Sequence, residues 1–317
     1  MNKKEILNKI RERTGNNSIK FPSQMDFSIV GNKLMVRVHG NGVIANMQTD
    51  GSAFEGWTIC LMAFMQDYVK EVVLAWNSPV YSQKDMEKQE KHYNRFVFRA
   101  MMFEEVYNWF SVSIENRSEI KRLKTIIPIL VVNYPKSESK EKVSVDGKVY
   151  KGEAVLERQL VSVMRKTISI TDHQLPVGLF KQKVHTDYTF TPRGASQIDI
   201  WQLDRDILRI FELKDKDNNS VGIISELMFY VHVMRLLNLG VIKFPDSLMT
   251  KKKNYRHIDD LYSAINAGKV KNIEAVFLNY EFHPFIECKK DDIMRIINEG
   301  TYKNQVSFSY QLVSHFI

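Results

Sequence analysis

The stretch QIDIWQLDRDILRIFELK, residues 197–214, decides the fold of this chain. It contains two short apolar runs, at residues 198–203 and 207–213, which are rich in isoleucine, leucine and aromatic side chains. Runs of this length and composition are typical of β-strands. The polar residues 204–206 form a tight link between them, so the two strands are expected to pair as an antiparallel hairpin.

The segments around this hairpin extend the pattern. Apolar residues recur at helical spacing over residues 153–167, and a strand is expected at 177–184, after the breaker Pro176. Downstream, residues 223–237 predict a strongly apolar helix and residues 275–280 a further strand. The resulting order of helix, three strands, helix and strand predicts an α/β core of the α+β kind.

The first 140 residues form a separate mixed α/β region in this interpretation. A hairpin is expected at residues 27–38, helices at 57–69 and 92–112, and a strand at 72–76. The second of these helices is rich in aromatic residues, which could stack on nucleic-acid bases. Packing of these rings in the core is the simpler interpretation.

A polar segment separates the two regions. Residues 134–151 have no apolar period and follow an apolar, strand-like run at 126–132, so they are expected to form a linker or long loop with a small hairpin at 143–150. We therefore expect an N-terminal mixed α/β domain at residues 1–140 and a second domain at 141–317.

The composition is that of a folded protein. Of the 317 residues, 44% are hydrophobic and 26% are charged, which excludes collagen-like, disordered and disulfide-scaffold proteins. No apolar run approaches the roughly 18 residues of a membrane span, so no membrane association is expected. Cys60 and Cys288 lie far apart in sequence, which favours a reducing, cytoplasmic location. The net charge of +8 leans weakly toward a polyanionic partner.

The candidate catalytic and metal-binding residues lie on this hairpin. Because its strands are antiparallel, Asp199 at the start of one is expected beside Glu212 at the end of the other. Adjacent carboxylates repel unless a proton or a cation lies between them, and carboxylate oxygens favour Mg²⁺ or Mn²⁺. Lys214, two residues beyond Glu212, projects from the same strand face and could activate a water. The backbone carbonyl of Leu213 offers a further oxygen ligand.

This arrangement resembles the PD-(D/E)xK nuclease superfamily, which has the restriction-endonuclease-like fold. The resemblance covers residues 150–280 approximately, and it is carried by Ile198-Asp199 and by Phe211-Glu212-Leu213-Lys214. Ile198 stands in the place of the proline that gives the motif its name. The resemblance says nothing about the N-terminal region.

Two flanking features strengthen the resemblance. The family often has a metal-associated glutamate on the helix before the first core strand, and Glu157, with Glu153 one turn earlier, is similarly placed. RecB-like members carry Gln-x-x-x-Tyr on the helix after the Glu-x-Lys strand. In this chain Glu226 and Tyr230 have that spacing, with glutamate in place of glutamine.

The resemblance implies a central mixed sheet flanked by helices and Mg²⁺- or Mn²⁺-dependent hydrolysis of DNA. Asp199 and Glu212 would bind the metal, with Glu157 and the Leu213 carbonyl as further ligands. Lys214 would position the attacking water. The remaining residues with an expected role would contact or orient the substrate: Glu226, Tyr230, Arg193, Lys251, Lys252 and Lys253.

Partners and setting follow from the same interpretation. A homodimer is left open, because cutting both strands of a duplex commonly needs two active sites. The N-terminal domain is a candidate for binding a protein partner or DNA. Restriction, phage defence and repair all remain open as settings.

Three other interpretations stand beside the nuclease. The acids and Lys214 could form an ordinary solvated sheet edge with a cross-strand salt bridge, which contributes little to stability. The chain could be a catalytically inactive binding module that keeps the nuclease fold and recognises nucleic acid or a protein. It could also be a purely structural assembly protein.

Overall fold

A computed structural model describes residues 1–136, 152–192, 196–214, 220–248, 254–302 and 305–316. The hairpin expected at 143–150 lies outside the described residues, as do Arg193 and the three lysines Lys251, Lys252 and Lys253. Among the described helices, none combines the length and the apolar character needed to cross a bilayer.

The described residues form a mixed α/β structure, as predicted. In chain order, the α-helices and β-strands of the described residues are α1 (Lys3–Thr14), β1 (Met25–Val30), β2 (Lys33–Val38), α2 (Gly40–Val43), α3 (Phe54–Phe64), β3 (Glu71–Trp76), α4 (Met86–Val106), β4 (Phe110–Val112), α5 (Arg117–Ile126), β5 (Leu130–Val132), α6 (Glu153–Met164), β6 (Thr171–Pro176), β7 (Leu179–Lys181), β8 (Gln197–Asp204), β9 (Ile207–Lys214), α7 (Gly222–Asn238), α8 (Ile258–Asn266), β10 (Asn272–Asn279), α9 (Pro284–Glu287), α10 (Lys290–Asn298) and β11 (Val306–Leu312).

The chain divides into two compact units that are each discontinuous in sequence. Unit 1 comprises residues 1–126, 220–226 and 282–303, and unit 2 comprises residues 127–219, 227–281 and 304–317. A division into consecutive domains at residue 140 therefore follows these units only in part. Two segments from the C-terminal half of the sequence complete unit 1.

Unit 1 contains a four-stranded sheet in the order β1-β2-β3-β4. β1 and β2 form the expected antiparallel hairpin, whose turn includes Gly31 with a φ of 60°, a conformation that favours glycine. β2 pairs with β3, and β3 with β4, in parallel. The α4 rings Phe96, Phe98 and Phe103 are buried, so the core-packing interpretation of this aromatic helix is confirmed.

A buried ion pair lies inside unit 1. Arg99 Nε donates to Glu55 Oε1 at 2.8 Å, and Arg99 Nη2 donates to the other Glu55 oxygen and to the Ser52 carbonyl. Both charged side chains are 1% exposed. The Ser225 hydroxyl, in the first turns of α7, donates to Glu55 Oε2 at 2.8 Å. Desolvated charges need several such hydrogen bonds, because a buried charge without partners is strongly destabilising.

We expect Ser225→Ala to lower the free energy of unfolding by about 1.5–3 kcal/mol, the usual range for a hydrogen bond to a charged group. Ser263→Ala on α8 is the matched control, because Ser263 is exposed and its loss should change the free energy by less than about 0.5 kcal/mol. Urea unfolding of both variants measures the difference. Equal stability of the two variants would show that the Glu55 carboxylate does not need this donor.

Unit 2 contains a five-stranded mixed sheet in the order β11-β10-β9-β8-β6. β8 is antiparallel to both of its neighbours, β6 and β9. β9, β10 and β11 are parallel. The β8–β9 hairpin predicted from the sequence is confirmed, and its tight link has Arg205 at a φ of 56°. The hairpin lies in the interior of the sheet, with a neighbouring strand on each side.

Helix α6 and the part of α7 from Leu227 onward belong to unit 2. α6 packs on one face of the sheet, in a cluster that consists of Leu156, Leu160, Val161, Met164, Ile200, Phe211, Leu213, Val276, Leu278 and Val313. α7 connects β9 to β10, and adjacent parallel strands require such a crossover. Its residues 227–234 are all buried, which is typical of a central helix.

The strand predicted at 177–184 is wrong in extent and in place. Only Leu179–Lys181 is extended there, and it pairs with β5 in a separate two-stranded sheet. The strand beside β8 is instead β6, at Thr171–Pro176. Its polar side chains are buried because they find partners: Asp172 accepts from Arg165 Nη2 at 2.9 Å.

In unit 1 the helix predicted at 92–112 ends at Val106, and Phe110–Val112 forms β4 beside β3. The helix expected at 57–69 is α3, which begins at Phe54 and ends at Phe64. The strand expected at 126–132 is reduced to β5, at Leu130–Val132.

Candidate active site

Asp199 lies where the β8–β9 ladder ends. The last paired residues of the ladder are Ile200 and Phe211, and the next position on each strand is Asp199 and Glu212. The backbone N–H of Leu213 donates to Asp199 Oδ2 at 2.8 Å. The Asp199 carboxylate is therefore held against the backbone of the residue between Glu212 and Lys214.

Glu212 and Lys214 form a buried ion pair on β9. Lys214 Nζ donates to Glu212 Oε1, and the two side chains are 1% and 4% exposed. Residues i and i+2 of a strand share a face, so this contact is the one that their spacing predicts. Burial excludes a solvated surface salt bridge as the description of this pair.

The sheet presents Glu212 and Lys214 on one face. Ile200, Phe211 and Leu213 pack with α6, and neighbouring strand residues point to opposite faces. Glu212 and Lys214 therefore belong to the face opposite α6, and Asp199 lies beyond the last pair of the ladder. Asp199 contacts the backbone between Glu212 and Lys214, and the expected roles of the three residues stay predictions.

Glu157 on α6 is electrostatically coupled to this end of the sheet. Burial raises the pKa of Glu157 to about 8, with a further contribution from the negative charge of Asp199, and a hydrogen bond with the Gln174 side chain opposes the rise. Glu157 is 5% exposed. Its Oε1 has no hydrogen-bond partner among the described residues. The acid is thus protonated at neutral pH in the absence of a cation.

Gln174 is a site residue that the sequence did not indicate. The β6–β8 ladder pairs His173 with Ile200 and Leu175 with Ile198, and it skips Gln174 opposite Asp199. Gln174 has a φ of 50°, in the left-handed region that a glutamine rarely adopts. Gln174, the residue with this backbone conformation, also forms a side-chain hydrogen bond with Glu157.

Arg256 supports Gln174 from a neighbouring loop. Its Nη1 donates to the Gln174 carbonyl at 2.9 Å. Arg256 and His257 have φ values of 52° and 53°, so strained backbone occurs on both sides of this contact. Strained non-glycine residues tend to cluster at functional sites. The sequence offered one weak signal for Arg256, its position in the basic stretch 251–257.

Glu226 and Tyr230 are both buried on α7, at 0% and 2% exposure. The Glu226 carboxylate accepts from the Gln48 side chain at 2.5 Å, within unit 1. Tyr230 belongs to unit 2. The structure gives each of these residues a packed environment, and their expected contact with substrate stays a prediction.

Carboxylate oxygens, the ligands that hard divalent cations prefer, are the groups available near these strand ends. Within the described part of the chain, no group of three or more His, Cys, Asp or Glu side chains is arranged to hold a metal ion. The Glu157 carboxyl, which Asp199 influences electrostatically, holds a proton at neutral pH, and the Lys214 ammonium pairs with Glu212. A cation bound by oxygen atoms could replace that proton and use the Glu157 oxygen that lacks a described partner.

Comparisons of the chain with models of protein families, with curated proteins and with solved structures found no match. The residues themselves therefore carry the functional argument.

Proposed function

We propose that this protein is a metal-dependent nuclease that hydrolyses DNA phosphodiester bonds. The single observation that carries the proposal is the bond from the Leu213 N–H to Asp199 Oδ2 at 2.8 Å. It fixes one acid of the motif beside the strand that carries Glu212 and Lys214. Stability alone does not account for the buried Glu212–Lys214 pair beside this acid, since a buried ion pair often contributes little to stability.

The topology of unit 2 supports the same proposal. The helix α6 is followed by three antiparallel strands in the spatial order β6, β8, β9, and the crossover helix α7 leads to the parallel strand β10. This order of helix, strands, helix and strand is the one that the sequence pattern predicted. The resemblance implies a central mixed sheet flanked by helices, and the mixed sheet of unit 2 supports that part of the proposal.

In this proposal Asp199, Glu212, Glu157 and the Leu213 carbonyl would hold Mg²⁺ or Mn²⁺. The bound cation would supply a more acidic water and stabilise the charge that develops on the phosphate. Lys214 would orient that water and donate to the phosphate oxygens, because its ammonium lies on the same strand face as Glu212 and pairs with it. Gln174 and Arg256 would act as positioning residues, since they contact Glu157 and the backbone of Gln174 respectively.

DNA as the substrate rests on weaker support. The net charge of +8 favours a polyanion. The carboxylate and lysine set is suited to phosphodiesters, and it offers no Ser–His or Cys–His pair for acyl transfer.

The test is incubation of the purified chain with supercoiled, linear and single-stranded DNA, with Mg²⁺, with Mn²⁺ and with EDTA. We expect nicks or cleavage only where the divalent cation is present. Salt-sensitive binding of DNA without cleavage in either metal would instead support the inactive binding module. Neither binding nor cleavage would contradict both.

A further inference from the structure

A cavity of about 380 Å³ lies within unit 2, in the size range of small-ligand sites. Its described walls include two aromatic rings, Tyr134 and Phe180, and two amides, Asn133 and Gln197. Neither ring is more than 9% exposed. Rings can stack on a nucleobase, and amides can hydrogen-bond its edges.

The charged residues of this cavity are basic. Lys136, His185 and Arg256 line it, and none of its described lining residues is acidic. Asp187 lies next to it, 3.3 Å from His185 Nδ1. Lys136 Nζ lies 5.6 Å from the centre of the Tyr134 ring. The cavity therefore combines an aromatic ring, which can contact a base, with a cation, which can contact a phosphate.

Arg256 has unused donor capacity at this cavity. Its Nη1 donates to the Gln174 carbonyl, while its buried Nε has no hydrogen-bond partner among the described residues. A buried donor without a partner is destabilising. An anionic ligand in the cavity would offer an acceptor.

The cavity adjoins the candidate active site along β8. Gln197 lines the cavity and Asp199 is two residues further along the strand, so their side chains share one sheet face. Two residues of a strand span about 6.5–7 Å, which is within the reach of one nucleotide. Pro176, which pairs with Gln197, lines the same cavity.

We propose that this cavity is a nucleotide subsite, which holds one unpaired nucleotide of the DNA strand next to the scissile phosphodiester. The base lies against Tyr134, and the phosphate is bound by Lys136 and Arg256. This inference rests on the proposed nuclease function for its position relative to the scissile bond. A base can enter such an enclosure only from a single-stranded end or after leaving its stack, so the subsite favours single-stranded or frayed substrates over intact duplex.

The experiment measures binding in EDTA, where no cleavage interferes. The probe is a labelled single-stranded oligodeoxynucleotide of about ten nucleotides, a length within the site sizes of single-strand binders, with deoxyadenosine 5′-monophosphate as competitor. Lys136→Ala and Tyr134→Leu are the test variants. Lys269→Ala is the matched control, because Lys269 is exposed and precedes the end of β10 that pairs with Ile207, away from Lys214.

We expect Lys136→Ala to raise the Kd for the single strand about tenfold, the effect of losing one charge-assisted contact. The salt slope of binding should fall by about 0.7, the value for one phosphate on a single strand. Tyr134→Leu should abolish competition by the mononucleotide, and Lys269→Ala should bind as the parent does.

Unchanged affinity in both test variants would overturn the subsite, even if the parent cleaves DNA with Mg²⁺. Loss of affinity confined to Lys136→Ala and Tyr134→Leu would support the subsite, even if no metal produces cleavage. In that second case the proposed hydrolysis, and not the subsite, would be wrong.

Discussion

Asp199→Asn is expected to lower the rate of Mg²⁺-dependent DNA cleavage roughly 10³-fold, the scale of losing a catalytic electrostatic contact. The amide oxygen of asparagine can still accept from the Leu213 N–H, so the bond that holds this side chain in place survives. The negative charge that would hold the cation does not. Cleavage of supercoiled DNA by the two proteins at equal concentration measures the effect.

Asp204→Asn is the matched control for this variant. Asp204 lies at the other end of β8, where it is 3.5 Å from Arg209. The same chemical change on the same strand should leave cleavage within about twofold of the parent, because Asp204 lies at the far end of the strand and partly exposed ion pairs contribute little. Cleavage by Asp199→Asn at the rate of Asp204→Asn would contradict the assignment of Asp199 as a metal ligand.

Lys214→Ala is a less clean test of the same site. Lys214 is buried against Glu212, so its truncation leaves a buried carboxylate without its ion-pair partner. Breaking such a pair is usually destabilising by about 3–5 kcal/mol. Loss of cleavage in that variant would therefore combine lost chemistry with lost stability, which Asp199→Asn separates.

Glu157→Gln is expected to remove a large part of the pH dependence of stability. The pKa of Glu157 in the folded protein is raised from 4.5 to about 8, so the folded chain holds this proton more tightly than the unfolded chain. The stability that this proton provides is complete below the unfolded pKa and is lost as the pH rises through the folded pKa. Glutamine resembles the protonated acid and has no proton to lose.

The expected difference in free energy of unfolding between the parent and Glu157→Gln is large. At about 1.4 kcal/mol per pKa unit, the parent should lose on the order of 4 kcal/mol of its free energy of unfolding between about pH 5 and pH 9 relative to Glu157→Gln. Urea unfolding in EDTA across this range measures it. Glu281→Gln, at an exposed position, is the control and should follow the parent. Parallel pH profiles for the parent and Glu157→Gln would contradict the burial of an acid next to Asp199.

The hairpin at the centre of unit 2 could be predicted from sequence because its signals are local. Two apolar runs and a short polar link specify both strands and their pairing, and pairing places Asp199 by Glu212. The positions of Lys214 and of Glu157 on its helix follow from strand and helix periods in the same way. These features need no knowledge of the rest of the chain.

Other features depend on tertiary contacts and could not be predicted. β6 reads Thr-Asp-His-Gln-Leu-Pro, which is a poor strand sequence, and it is buried because Asp172 finds Arg165. The left-handed backbone of Gln174 and Arg256 has no sequence signal, since neither residue is a glycine. β11, in contrast, alternates apolar and polar residues from Val306 to Tyr310, and this period was a usable signal.

The discontinuity of unit 1 has a consequence for synthesis of the chain. Phe285 stacks on Phe64 at 4.5 Å between ring centres and contacts Trp57 at 5.6 Å, and α10 packs against α3. During synthesis the N-terminal part of unit 1 therefore cannot complete its fold until a segment more than two hundred residues later has left the ribosome. Until then Trp57 and Phe64 lack part of their cover, so a fragment truncated near residue 140 should be prone to aggregation, and the nascent protein should depend on chaperones.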